Sequence, residues 1–494
     1  MHSMSKIRRS ELNSLLHYTG YISILLGIVM LVPILVALIY HESHYILPFI
    51  YSSIVSLIFG VVLYKCFSSG IEISLKVAML FSTLIWLIGS AIAALPFYLS
   101  GDLSYLNGYF EAMSGFTTTG FSMYSNLDTV SYTMDFWRGF MQWLGGIGII
   151  VMALTVLSSS NVSIMRLYSA EGRDERLVPS IRHTTRIILY IYLAYTAFSI
   201  LLFIIAGMPI FDSIFYAFTA LSTGGFAMQN ASIGFYHSIW IEIVAMIIMI
   251  IGATNFALHY TVLKGNWREY FKDIETRVSW PLLIIGTIIG TLFLFNTSVY
   301  GHDILISLRY SVFQVVSALT TTGLQTASPS EITYQWEGLG IFILTLLMIV
   351  GAGACSTGGG IKWMRIGILL KGMWWEIKSL ILPESAVISR KIHHVNDVKV
   401  DQKLLKLTGL FVFSYLVIYF VSVIIVLFYY PNVSQTLFEV ASTLSNVGLG
   451  SGLITATSPF VVKIVFIIDF WIGRLEIWPI LLLVALLIQN SVRK

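Results

Sequence analysis

The sequence predicts an all-α integral membrane protein: four pseudo-repeats of helix–pore half-helix–helix around a central pore, plus two extra N-terminal transmembrane helices. Three observations carry this. Of 494 residues, 57% are apolar and only 11% charged, against about 25% charged in soluble chains, and the mean hydropathy is +0.83. The apolar residues fall in runs of about 20, the length that crosses a hydrocarbon core of about 30 Å. Between those runs, four short segments repeat one pattern in register.

The candidate spans, in order, are 18–40, 46–66, 75–98, 137–158, 185–206, 238–262, 281–298, 338–369, 405–429 and 460–488. The first apolar run is too long for a signal-peptide core and no small-residue cleavage site follows, so it reads as a retained anchor. Residues 1–70 form the two-helix extension. The repeats take 71–160, 181–263, 278–370 and 404–494. Two cysteines, Cys66 and Cys355, are too few and too far apart for a disulfide or a metal site. All but four of the 29 Lys and Arg lie in the N-terminal tail, near 65–76, in 166–186, 264–277 and 362–406, and at the C-terminus. The loops 99–136, 207–237, 299–337 and 430–459 hold only Arg309. The positive-inside rule makes the basic loops cytoplasmic, with both termini on that side. Topology alone explains the basic stretches, and nucleic acid is not needed.

Each outer loop holds a mildly apolar segment too short to span: 108–119, 213–224, 311–322 and 436–447. Phe110, Phe215, Phe313 and Phe438 each precede a glycine by ten residues: Gly120, Gly225, Gly323 and Gly448. Hydroxyls follow each Phe at the fourth position (Ser114, Thr219, Ser317, Ser442) and the seventh (Thr117, Ser222, Thr320, Ser445). A single copy would be a small-residue turn at a helix end. Four copies, each between two apolar spans, are an internal repeat.

A helix of about ten residues rises roughly 15 Å and stops near mid-membrane. The chain must then return through the bilayer, which is tolerated only where protein shields it or water lines it. Four helix C-termini aimed inward present the negative ends of their dipoles. They favour a cation, whose lost hydration rings of backbone carbonyls can replace. Glycine supplies the positive φ that such a backbone needs. The candidate ion ligands are therefore the carbonyls of Thr118, Thr119 and Gly120, of Thr223, Gly224 and Gly225, of Thr321, Thr322 and Gly323, and of Asn446, Val447 and Gly448.

These residues resemble the TrkH/KtrB/HKT superfamily of potassium transporters, over essentially the whole chain. The resemblance extends to Phe136-Trp137-Arg138, Gln142-Trp143-Leu144-Gly145-Gly146-Ile147-Gly148, Gly358-Gly359-Gly360-Ile361-Lys362 and Gly473-Arg474-Leu475-Glu476-Ile477. The two extra N-terminal spans match the TrkH branch. Glycine at all four filter positions fits potassium, whereas Ser in the first would suggest sodium. Asn446-Val447 departs most from the pattern.

The eighth span is interrupted by Gly351-Ala352-Gly353-Ala354-Cys355-Ser356-Thr357-Gly358-Gly359-Gly360. Each glycine costs a helix up to about 1 kcal/mol. A flexible cytoplasmic linker is the plain alternative, but apolar residues run up to Gly351 and the next charge is Lys362. The resemblance implies an intramembrane gate below the filter, formed by Gly351, Gly353, Cys355, Ser356, Thr357, Gly358, Gly359, Gly360 and Arg474. A central Arg costs at least about 2.5–3.5 kcal/mol to insert, so Arg474 needs a wet cavity or a partner such as Glu476 or Asp469. The resemblance places it near the pore as a barrier to cations. Asn255 and His259, near the end of the sixth span, read as a capped helix end rather than a pore or subunit contact.

The expected function is potassium uptake across a bacterial inner membrane, with K⁺ the transported ion and no cofactor on this chain. A proton- or sodium-coupled symporter, or a sodium-permeable transporter, is the alternative. Acidic or His relays inside the spans are scarce for coupling. No HExxH, Walker A, GxSxG or paired catalytic carboxylates occur in the basic loops, which argues against an enzyme. The resemblance further implies a homodimer in lipid and a cytosolic TrkA-type regulatory subunit, binding NAD or ATP, docked on 159–184, 264–280 and 362–404.

Overall fold

The computed structural model describes residues 8–68, 74–148, 181–383, 385–386 and 388–492. Among the described residues it is mostly helical, and six helices are long and apolar enough to cross a membrane, or seven if one bent pair counts as a single span. The loop expected at 159–184 and residues 149–158 of the fourth span lie outside or mostly outside the described residues.

The extension is Arg9–Val29, continued after a break by Val32–Ile39, and Ile46–Cys66. Its two long helices approach closely because Gly20, Gly27 and Gly60 face the opposite backbone. Ser53 donates to the Gly27 carbonyl and Ser56 to the Ser23 carbonyl, both at 2.7 Å. Small residues and interhelical hydrogen bonds are what hold helices together where lipid gives no hydrophobic drive. Along Ile46–Cys66 the other face is apolar and exposed, including Leu47, Ile54, Ile58 and Val62. Lipid would cover it.

Each repeat has a first helix, a half-helix and a second helix. The half-helices are Tyr105–Phe116, Ile210–Leu221, Ile304–Leu319 and Val433–Leu444. They start and stop some three residues earlier than the sequence pattern suggests, and the third is longer. Ser104, Asp303 and Asn432 set three of the starts by accepting from backbone amides of the first turn.

The second helices differ from expectation. A break was expected only in the eighth span, yet three second helices are interrupted. Ile239–Ala253 turns by 105° into Phe256–Leu263. Leu339–Val350 gives way to a loop before Trp363–Ile381. Phe460–Arg474 stops before Trp478–Val492, with Glu476 and Ile477 left-handed. In the first repeat, Tyr132–Ile147 ends at Gly148, at φ 80°. Asn255 caps the bent half by accepting from the Ala257 amide at 2.7 Å. The His259 ring meets the Ile251 carbonyl at 2.9 Å. A short antiparallel hairpin, Lys391–His394 with Asn396–Lys399, packs Ile392 against Ile274, Ile368 and Trp375.

Candidate functional site

All four half-helices end in the same turn. Thr118, Thr223, Thr321 and Asn446 are left-handed, at φ 56°, 51°, 53° and 53°. The next amide in each repeat reaches back five residues: Thr119 to Ser114 (2.8 Å), Gly224 to Thr219 (2.7 Å), Thr322 to Ser317 (2.9 Å) and Val447 to Ser442 (2.9 Å). The left-handed residue itself bonds three residues back. This is a Schellman close, in which glycine normally occupies the left-handed place. Here Thr or Asn does so four times, a strained choice. Two hydroxyls offset it locally, Thr118 donating to the Thr117 carbonyl and Thr223 to the Ser222 carbonyl, each at 2.7 Å.

Past this turn the chain returns, and Gly120, Gly225, Gly323 and Gly448 are again at positive φ, 94°, 75°, 84° and 92°. A Cβ added at Gly120 would strike the Gly224 carbonyl oxygen, one at Gly225 that of Thr322, one at Gly323 that of Val447, and one at Gly448 that of Thr119. The relation runs from repeat to repeat and closes on itself. The four glycines therefore form a ring in chain order, and all four line one vestibule of about 190 Å³. Among the described residues, the carbonyls of Thr118, Thr119, Thr321, Thr322, Asn446 and Val447 accept no backbone hydrogen bond, while that of Gly224 accepts from Gln142 Nε2 at 2.5 Å.

The ring is braced from behind by residues the sequence reading passed over. The position after each patterned Phe is Glu111, Tyr216, Gln314 and Glu439. Glu111 accepts from the Met123 amide at 2.6 Å and Ser122 at 3.0 Å. Glu439 accepts from the amides of Ser451 (2.8 Å) and Leu453 (3.1 Å). Gln314, with its amide oxygen turned to the strand, accepts from Thr326 and Ala327 at 3.3 and 3.0 Å. Two carboxylates inside intramembrane half-helices were the available signal. Fully buried Arg138 pairs with Glu111 and Asp135, each at 2.8 Å, and donates to the Ala227 carbonyl of the next repeat at 2.9 Å. Asn446 Nδ2 donates to the Thr119 hydroxyl at 2.9 Å, joining the fourth repeat to the first.

The interrupted loop of the third repeat lies against the half-helix ends, opposite the vestibule. Thr357 donates to the Gly252 carbonyl (2.9 Å) and the Leu221 carbonyl (3.2 Å), and its hydroxyl meets that of Thr223 at 3.0 Å. The Gly359 amide donates to Thr321 at 2.9 Å, and a Cβ at Gly359 would strike the Ser445 carbonyl. Gly351 and Gly360 face each other at positive φ, where a side chain on either would collide with the other strand. Gly353 donates to the Ala253 carbonyl at 2.9 Å, Ser356 donates to the Gly353 carbonyl and bonds the Gly358 amide, and Lys362 Nζ reaches the Gly358 carbonyl. Cys355 faces a cavity on the side of the basic loops. Arg474 donates to the Thr357 carbonyl at 2.6 Å and to the carbonyls of Gly145 and Gly146. Its nearby acids are engaged elsewhere too: Glu476 accepts from Arg365 and Asp469 from Ser422.

A pore-loop membrane transport protein, with four half-helices on one chain, is the class that this fold and ring define. The family model for TrkH, a cation transport protein, matches residues 48–493. An uncharacterised cation transporter of Methanocaldococcus jannaschii is 34% identical, covering 99% of this chain and 98% of its own. The Trk system potassium uptake protein TrkH of Escherichia coli is 32% identical, covering 94% and 96%. The crystal structure of the potassium transporter TrkH from Vibrio parahaemolyticus superposes with a TM-score of 0.83 at 28% identity, over 96% of this chain and 98% of that one. The chain belongs to the TrkH family of cation transport proteins. It is a membrane transporter and not an enzyme.

Proposed function

We propose that this chain carries K⁺ across the membrane along the axis of the glycine ring. The backbone carbonyls of the three residues 118–120 and of 223–225, 321–323 and 446–448 replace the water of the ion. The observation that supports this reading most is the closure of the ring: four returns meet about one axis, so carbonyls approach an ion from every side. Resemblance to a potassium uptake protein and to a potassium transporter supports K⁺ as the ion carried. Glu111, Gln314 and Glu439 hold the return strands, so that the cage keeps a width suited to one ion.

The loop 351–360 is the gate and Arg474 its latch. The loop touches the half-helix ends of the second, third and fourth repeats, and Arg474 ties it to the first. A positive guanidinium beside the path also repels cations in the closed state. A homodimer, and a nucleotide-binding cytosolic regulator acting on the basic loops, complete the reading.

Growth of an uptake-deficient bacterium on low K⁺, and current in planar bilayers holding the purified chain, test it. Rescue, with reversal at the K⁺ equilibrium potential, is expected. Reversal that follows the proton or sodium gradient would replace it with coupled transport. In Gly120→Ser the added Cβ meets the Gly224 carbonyl. The K⁺ over Na⁺ preference then falls by about tenfold or more, roughly 1.4 kcal/mol.

A further inference from the structure

Below the loop, a cavity of about 1110 Å³ is walled by Ala354 and Cys355, by Tyr260 of the bent helix, and by His393 and His394 of the hairpin. Directly behind His394 lie Asp273 and Glu275, at the start of helix Ile274–Asn296. One donor atom from each of Asp273, Glu275 and His394 lies within 4.8 Å of the other two, and all three residues are buried. Donors about 2.0–2.2 Å from a zinc ion stand roughly 3.4 Å apart, so side-chain rotations of about an ångström close the set.

The geometry points to a site for a divalent transition ion, held by His394 Nδ1 and the carboxylates of Asp273 and Glu275. Both carboxylates are oriented from outside the set, as such sites require. Asp273 accepts from the amides of Glu275 (2.8 Å) and Val395 (2.9 Å). Glu275 accepts from the Ala354 amide at 2.6 Å. His394 Nδ1 already stands 3.2 Å from an Asp273 oxygen, and the cavity gives access from the side of the basic loops. An imidazole in the set selects zinc-like ions over Mg²⁺ and Ca²⁺, which prefer oxygen alone. Glu275 is at once a ligand and the acceptor for Ala354. Ion binding therefore acts on the loop, a consequence that rests on the gate reading above.

The test is zinc content of the purified full-length chain after equilibrium dialysis, in a Cys355→Ser background that removes the neighbouring thiol. One zinc per chain is expected, bound about tenfold or more weakly in Glu275→Gln and in His394→Ala and unchanged in His393→Ala. X-ray absorption of the zinc-loaded chain should show nitrogen and oxygen donors with imidazole and no sulfur, a readout that needs no variant to fold. Zinc that is absent, sulfur-bound, or indifferent to both ligand variants overturns the site and leaves a hydrogen-bonded staple of the hairpin. With zinc bound as described, slower K⁺ flux in proteoliposomes of wild type but not Glu275→Gln supports the link to the gate. Unmoved flux removes that link and leaves the site standing.

Discussion

Single glycines set the spacing behind the glycine ring. A Cβ at Gly145 would strike the Phe116 carbonyl, one at Gly252 that of Leu221, and one at Gly473 that of Leu444. Each is the last helical residue of a half-helix, so three second helices rest on three half-helix ends through bare backbone. Gly145→Ala should therefore destabilise by about 1–3 kcal/mol, the usual scale of overpacking. Gly409, in helix Gln402–Leu427, has open space where its Cβ would stand. Gly409→Ala should be neutral or stabilising by up to about 1 kcal/mol through helix propensity. Thermal unfolding in one detergent measures both, and equal midpoints would remove the packing argument. Gly145 and Gly473 stood out in the sequence only as parts of family motifs. Their role depends on which carbonyl they face, and spacing along a chain does not show that.

Elements divide between what hydropathy reveals and what it conceals. The half-helices were legible because a short apolar segment, two hydroxyls and a glycine recur four times. The breaks at 254–255 and 475–477 were less so: Thr254-Asn255 and Glu476 are brief polar interruptions of long apolar runs. Asn255 reads as a cap at the end of its span, and the turns rest on that cap and on left-handed residues. The hairpin at 391–399 was hidden for another reason: its strands are four residues each and mostly polar, and contacts with Glu269 and Asp273 anchor it. Across the proposed gate, Arg474→Ala removes charge-assisted hydrogen bonds worth about 1.5–3 kcal/mol each. K⁺ flux through reconstituted protein should rise by about tenfold or more; an unchanged or lower flux would count against the latch. At the hairpin, His393 meets Asp397 at 2.8 Å and Glu269 at 2.7 Å. These partners, Asp397 first, hold the imidazole pKa above its ordinary value. Hydrogen bonds hold both carboxylates below theirs, from Lys272 first at Glu269 and from His393 at Asp397. The imidazole contribution is complete below about 6.5 and fades as pH rises through the higher folded value. Those of the carboxylates are complete above about 4 and fade in stronger acid. Amide exchange across 391–399, corrected for intrinsic rates, should be slowest in mild acid and faster at pH 8, and a flat profile would dismiss the anchor.

At the scale of the whole molecule, the ring is a joint assembly that no repeat can form alone. The extension takes part: Glu42 accepts from the Tyr132 and Thr133 amides at 3.0 and 2.9 Å, capping the second helix of the first repeat. Arg138 on that same helix reaches the half-helix of its own repeat at Glu111 and the return strand of the next at Ala227. Its guanidinium also lies 4.5 Å from the Phe226 ring centroid. In the sequence Arg138 is marked by resemblance only, because its partners outside its own helix lie 27 and 89 residues away. Removing one member of a buried ion pair costs about 3–5 kcal/mol, since the partner is left charged and unpaired. Arg138→Met strands two carboxylates, Glu111 and Asp135, whereas Glu111→Gln leaves Arg138 paired with Asp135. The arginine variant should therefore unfold at the lower temperature. Adding Glu111→Gln to it should recover part of the loss, a non-additivity that a double-mutant cycle reads directly. Because one guanidinium spans two repeats, Arg138→Met should also weaken K⁺ over Na⁺ preference in whatever protein still folds. Additive stability losses with selectivity intact would mean that the arginine only fills space and that the ring holds its shape without it.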